Sequence, residues 1–173
     1  AANECDLFIT SGGVSMGEED HVRTAINELG KLHFWKLLIK PGRPIALGYV
    51  NDDGREVPVI ALPGNPVAVM VTFLRIARPL VLLLSGSVDI YPNYFSIPSA
   101  FSVTKKKGRR EWLRVSLVRD KENNLKVQKF PFDGSGILSS MVFSDGLVEL
   151  SEDIVKVSEG DLVDFLPFSE VLN

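Results

Sequence analysis

The sequence predicts an α/β domain followed by a small all-β domain, sandwich or barrel. Three observations carry this. Apolar strand-like runs that end in glycine turns alternate with helical patterns as far as Ser85. Beyond Ser85-Gly86-Ser87 only short β-rich runs recur, with turn-rich pieces between them. The 173 residues and the 45% hydrophobic content suit one large domain or two small ones. The expected domains are residues 1–86 and 87–173. The chain begins without Met and reaches a strand after six residues, which reads as a piece of a longer protein.

The stretch Leu7 to Asp20 organises the first domain. An apolar strand, Leu7–Thr10, runs into Gly12, Gly13 and Gly17, with Ser15 among them. Glu18, Glu19 and Asp20 then open a helical pattern. Glycines let the backbone take positive φ and approach a ligand closely. Free N–H groups at a helix start favour an anion. Two readings stand. One is a phosphate or oxyanion cradle at the carboxyl end of a strand, where open α/β sheets bind ligands. The other is a tight β–α turn. The loop is neither a Walker A loop nor a G-x-G-x-x-G fingerprint.

Val22, Ala25, Ile26 and Leu29 fall on one helical face, and Gly30 is expected to stop that helix in the C′ position. Leu32 to Ile39 reads as an apolar strand with Lys36 and Lys40 set into it. Lys40-Pro41-Gly42-Arg43-Pro44 is a rigid turn, because the prolines fix φ and the glycine permits a reversal. Ile45–Val50 and Val57–Leu62 form a hairpin around Asn51-Asp52-Asp53-Gly54. Pro63-Gly64-Asn65-Pro66 repeats the opening design: a strand end, a glycine turn, and a helix start with Asn65 as N-cap and Pro66 at N1. The helix to about Ser85 is apolar nearly all round, so it is expected to be buried, with a kink at Pro79. Arg75 and Arg78 argue for a buried helix rather than a membrane span.

The second domain is expected to hold strands at Tyr94–Ile97, Ala100–Val103, Trp112–Val118, Leu125–Phe130, Val142–Glu149, Ile154–Val157 and Leu162–Leu166. No long helix is expected there. The net charge of −3 gives no reason to expect broad nucleic-acid binding. The single cysteine, Cys5, excludes an internal disulfide and fits a reducing compartment.

The charged residues have competing readings. Lys36, Lys40 and Arg43 place three cations in eight residues, and on one strand Lys36 and Lys40 would share a face. They form either an anion site beside the glycine loop or a solvated strand face. Asp20 is either a helix-dipole partner or a carboxylate that holds a divalent metal or handles protons beside a bound anion. His21 and His33 have no Cys/His partners and suit core or surface roles. The run Lys105 to Arg110 reads as a solvated hairpin tip. Arg109 and Arg114 flank the Trp112 strand, and either could aim a guanidinium fork at an oxyanion.

Three motifs, Ser11-Gly-Gly-Val-Ser-Met-Gly17 with Asp20, Trp35-Lys36 through Lys40-Pro-Gly-Arg-Pro44, and Leu62-Pro-Gly-Asn-Pro66, together resemble the molybdopterin molybdenumtransferases, which include the E domain of gephyrin and plant and bacterial relatives. The resemblance is strong to about Gly86 and continues through Arg109-x-Glu-Trp-x-Arg114 and Gly134-Ser135…Ser139-Ser140. It implies the C-terminal half of a molybdopterin-binding α/β domain, its N-terminal half missing, followed by a C-terminal β-barrel. It implies insertion of molybdenum from molybdate into adenylylated molybdopterin, with release of AMP, in the presence of Mg²⁺. Asp20, Lys36 and Lys40 then match catalytic positions, and Asp20 also the metal position. Gly12, Gly13, Ser15, Gly17, Arg43, Pro44, Pro63, Pro66, Arg109 and Ser135 match substrate-binding positions. The resemblance further implies a cytoplasmic homodimer with its site between subunits, no nucleic acid, no membrane span, and no activity in this stretch alone. A gephyrin-like scaffold that binds a receptor or cytoskeletal partner is the alternative. Arg43 stands where lysine is common, and Asp133 puts a negative charge beside Ser135, which counts against Ser135 as an anion ligand.

Overall fold

A computed structural model of the protein describes residues 4–12 and 21–172, with backbone only at Phe34 and Trp35. The chain divides into two compact units. One comprises residues 1–37 and 42–90, the other residues 38–41 and 91–173. The first is α/β and the second almost wholly β.

In the first unit, β1 (Phe8–Ser11) is followed by α1 (His21–Leu29), then β2 (Gly30–Lys36). The short β3 (Ile39–Lys40) leaves this sheet and belongs to the second unit. β4 (Pro44–Asp52) and β5 (Arg55–Leu62) return to the first. The four-stranded sheet has the order β1-β5-β4-β2, with β1 parallel to β5 and the other pairs antiparallel. The β4–β5 hairpin turns on Asp53 (φ 48°) and Gly54 (φ 89°). Positive φ at both central positions matches the right-handed twist of the flanking strands.

The helix after β5 is α2 (Pro66–Thr72), a π-helical turn at Phe73–Ala77, and α3 (Arg78–Leu84). Pro79 was expected to kink this helix. At this place the chain inserts the π turn just before Pro79, where the Arg78 N–H reaches back to the Phe73 carbonyl. Pro79 has no N–H and its ring crowds the carbonyl four residues back, so a wider turn relieves the clash. The first half is buried as expected, through Val67, Ala68, Val71, Thr72 and Leu74. The second half is not. α3 has no buried residue, and Leu83 is 58% exposed. The stretch Pro66–Leu84, with a mean hydropathy of 2.1, is long and apolar enough to cross a membrane by length and composition. Its inner face instead packs on the sheet, where Ala77, Phe73 and Val69 meet Ile45, Ile60 and Leu62.

Two expectations fail in this unit for one reason: strand pairing decides what the local pattern leaves open. Gly30 does not cap α1 but begins β2 opposite Val50, and a Cβ on it would lie 2.0 Å from the Tyr49 carbonyl oxygen. Close strand approach requires this glycine. The run Leu32 to Ile39 is likewise not one strand. β2 ends at Lys36, and the Leu37 N–H donates to the Arg43 carbonyl at 2.9 Å, closing the excursion. Lys36 and Lys40 therefore lie on different strands in different sheets, and a shared face is ruled out.

The second unit continues with β6 (Phe95–Pro98), β7 (Val103–Thr104), β8 (Arg110–Arg119), β9 (Leu125–Lys129), α4 (Ser139–Val142), β10 (Gly146–Leu150), β11 (Lys156–Val157) and β12 (Leu162–Pro167). The main sheet has the order β3-β8-β10-β12-β6, with β9 also paired to β8. Ser99, just past β6, bridges Val127 in β9, so the sheet curls back on itself in barrel fashion. Phe101, Leu113, Val115, Val127, Val148 and Phe165 fill the interior. The expected strand Val142–Glu149 starts late, because its first residues close α4 and a turn. Of Ala100–Val103 only Val103 is in a strand.

Candidate functional site

The carboxyl end of the first sheet is built from backbone. β1 and β5 run parallel in the register Ser11↔Leu62, so Gly12 and the Pro63–Pro66 turn leave the sheet side by side. Gly12 has φ +77° and donates its N–H to the Leu62 carbonyl at 3.1 Å. A Cβ on Gly64 would approach the Gly12 Cα to 3.6 Å. Asn65 occupies the N-cap position, but its side chain makes no capping bond; its carbonyl accepts from the Val69 N–H at 2.9 Å. Pro63 is buried and Pro66 exposed. Lys36 ends β2, exposed, opposite Pro44, and Arg43 is exposed. Gly13, Ser15, Gly17 and Asp20 lie outside the described residues.

The second unit gathers side chains instead. β3 pairs with β8 in parallel, and the register sets Lys40 opposite Glu111. Glu111 is 3% exposed. One carboxylate oxygen accepts from Arg109 Nε at 2.9 Å and also from Arg109 Nη2, while the other lies 3.7 Å from Lys40 Nζ. Two partly exposed cations thus converge on one buried carboxylate. On the solvent side, Asp133 lies 3.9 Å from Lys40 Nζ and 2.7 Å from Lys129 Nζ, its side chain 59% exposed. The Lys129 hydrogen bond, and then the charges of Lys129, Lys40 and Arg114, hold the Asp133 carboxyl below the usual carboxylate range. Asp133, which counted against an anion site, is thus paired within a group where Lys40, Arg109, Arg114 and Lys129 outnumber Glu111 and Asp133.

Arg114 does not face an oxyanion. It is buried, and its guanidinium donates to the Ser140 hydroxyl at 3.1 Å and to the carbonyls of Phe132 at 3.0 Å and Gly134 at 3.2 Å. It clamps from beneath the loop that carries Asp133 and the half-buried Ser135. Burial lowers the Arg114 guanidinium from its ordinary value, and Asp133 opposes that shift. The expected solvated tip at Lys105–Arg110 is also corrected. Lys105 is buried and donates to the Arg109 carbonyl, and Arg110 pairs with Glu149 at 2.7 Å and with Glu152 at 2.9 Å. Only Lys106 and Lys107 fit the solvated reading.

Glu111 and Lys129 were absent from the sequence-derived candidates. Glu111 had a readable signal: it sits in phase with Leu113 and Val115, which face the barrel interior, so a charge there needs a cation. Lys129 carried no such signal.

The first unit thus ends its sheet in a glycine-and-proline turn, and the second gathers cations around a buried carboxylate. Comparison with known proteins gives the family. Residues 1–82 match the family described as "Probable molybdopterin binding domain", and residues 96–168 match "MoeA C-terminal region (domain IV)". The chain is 35% identical, over 99% of its length, to 42% of the molybdopterin molybdenumtransferase of Haemophilus influenzae. It is 32% identical, over 92% of its length, to 39% of molybdopterin molybdenumtransferase 2 of Mycobacterium tuberculosis. A molybdopterin biosynthesis MoeA structure from Pyrococcus horikoshii superposes with a TM-score of 0.73 at 28% identity, covering 96% of this chain and 38% of that one. A molybdenum cofactor biosynthesis protein from Pyrococcus furiosus gives a TM-score of 0.68 at 29% identity, covering 96% and 50%. The chain belongs to the molybdopterin molybdenumtransferase family and spans about two fifths of the length of these curated relatives.

Proposed function

We propose that the intact protein inserts molybdenum from molybdate into adenylylated molybdopterin and releases AMP, as a cytoplasmic homodimer. The observation that carries this reading is the convergence of Lys40 and Arg109 on Glu111 in a member of this family. Molybdate is a dianion. Lys40 supplies a mobile point charge and Arg109 a planar fork, so the pair can neutralise and orient a tetrahedral oxyanion. The Ser135 hydroxyl, on the loop that Arg114 clamps, is suited to complete the set. The glycine loop of Gly12, Gly13, Ser15 and Gly17, with Pro63 and Pro66, would hold the pterin nucleotide's phosphates, and Lys36, Arg43 and Pro44 would border them. Prepositioned cations of this kind act on charge as it develops when the pterin–AMP link breaks.

Mg²⁺ is assigned to Asp20 from the resemblance. Among the described residues no group of three or more His, Cys, Asp or Glu could hold a metal ion, and Asp20 lies outside them. The test is AMP release by the intact protein given adenylylated molybdopterin, Mg²⁺ and increasing molybdate. Saturable, molybdate-dependent release is expected. Pterin–AMP binding with no response to molybdate would overturn the reading in favour of a nucleotide-binding module.

A further inference from the structure

Lys40 lies between two carboxylates in opposite surroundings. Glu111 is buried on β8, tied twice to Arg109 and held across the β3–β8 register. Asp133 is exposed, sits on a loop rather than a strand, and touches Lys40 only at 3.9 Å while bonding Lys129 at 2.7 Å. We propose that the two carboxylates do opposite jobs: Glu111 is a positioning residue that holds Lys40 and Arg109 together, whereas Asp133 occupies the anion's place and is displaced when the oxyanion binds. This rests on the oxyanion reading of the cluster given above.

The reasoning follows from burial. A buried carboxylate shared by two cations is a fixed anchor, because removing it leaves the cations to separate or to seek water. An exposed pair near 4 Å contributes little and exchanges readily. A dianion arriving at Lys40 would replace Asp133 there at small cost, because the displaced carboxylate keeps its 2.7 Å bond to Lys129. Arg114 holds the backbone of the Asp133 loop through the Phe132 and Gly134 carbonyls, so the side chain can swing aside while the loop stays in place. Charge counting alone gives a different answer, since removing either acid would then tighten anion binding.

The experiment is calorimetric titration of the intact protein with sodium molybdate, with AMP release followed in parallel, for Asp133→Asn, Glu111→Gln, Glu111→Asp and Lys40→Ala. Asp133→Asn is expected to bind molybdate about two- to five-fold tighter. Glu111→Gln is expected to bind it about ten-fold weaker or worse, and Glu111→Asp to recover part of that loss. In Glu111→Gln the half-saturating molybdate concentration should rise more than the maximal rate falls. A purely structural role would lower the maximal rate and leave half-saturation in place. Tighter binding in both Asn and Gln variants would overturn the positioning role. Unchanged or weaker binding in Asp133→Asn, an exposed change with no folding burden, would overturn the displacement role. Lys40→Ala separates the levels: if it binds molybdate like the parent, the oxyanion reading itself fails, whatever the acids do.

Discussion

The sheet end of the first unit and the cation cluster of the second are both suited to anions, yet they are made of different materials. The first is backbone: Gly12 at positive φ, its N–H on the Leu62 carbonyl, and the Pro63–Pro66 turn alongside. Its parts come from two parallel strand ends. The second is side chain: Lys40 from β3, Arg109 just before β8 and Glu111 within it, Lys129 at the end of β9, and Asp133 and Ser140 from the segment beyond it. A backbone site tolerates side-chain change but not added bulk. A side-chain site tolerates bulk but depends on the buried groups that aim its charges, here Glu111 and Arg114.

The sharpest way to break this contrast is through glycine. Gly30→Ala places a Cβ 2.0 Å from the Tyr49 carbonyl oxygen, so β2 and β4 must separate. A loss of about 3 kcal/mol or more in chemical denaturation is expected. A near-neutral result would mean that Gly30 is only a helix terminator after all. On the side-chain site the matching change is Arg114→Met, which keeps bulk and removes the donors that clamp the 132–134 backbone. About 2–3 kcal/mol should be lost, and molybdate binding should weaken with it. If stability falls while molybdate affinity stays at the parent value, the loop does not serve the anion.

How far the two regions could be read in advance follows the same division. Strand ends, turn glycines and the Asp53-Gly54 hairpin are local, so the pattern of apolar and turn residues revealed them. The departure at residues 37–43 was not legible. Whether Ile39 and Lys40 extend β2 or join another sheet depends on a parallel partner at Arg110 and Glu111, far along the chain. The misplacement of Lys36 beside Lys40 follows from that one non-local pairing. Of the cluster, Arg109 and Ser135 came from the family motifs. Glu111 stood within the same motif and was passed over, although a carboxylate in phase with Leu113 and Val115 has nowhere to go but inward. Lys129 and Asp133 meet only because the chain bends after β9.

Smaller changes sharpen the picture. Gly12→Ala meets nothing within 4 Å, so its cost is confined to the backbone at φ +77°. About 1–2 kcal/mol is expected in thermal or denaturant unfolding. A much larger loss would reveal packing against the neighbouring loop. The smallest effect concerns acid. Asp133 is held down chiefly by its Lys129 hydrogen bond, and Glu152 by its Arg110 hydrogen bond. Each therefore stabilises the fold fully above its unfolded value, near pH 4, and loses that contribution as pH falls through its lower folded value. Asp133→Asn should lose that small contribution at neutral pH, match the parent at the acid end, and so shallow the acid limb of the stability profile slightly. A steeper acid limb in the variant would reverse the sign and contradict the pairing.

The central claim is that the second unit's cluster gathers molybdate through Lys40. The direct measurement is the molybdate concentration giving half-maximal AMP release, for the intact protein and for Lys40→Ala. Losing one charge-assisted bond to the anion, about 1.5–3 kcal/mol, should raise that concentration about ten- to hundred-fold. Equal half-saturation in the two proteins would contradict the account.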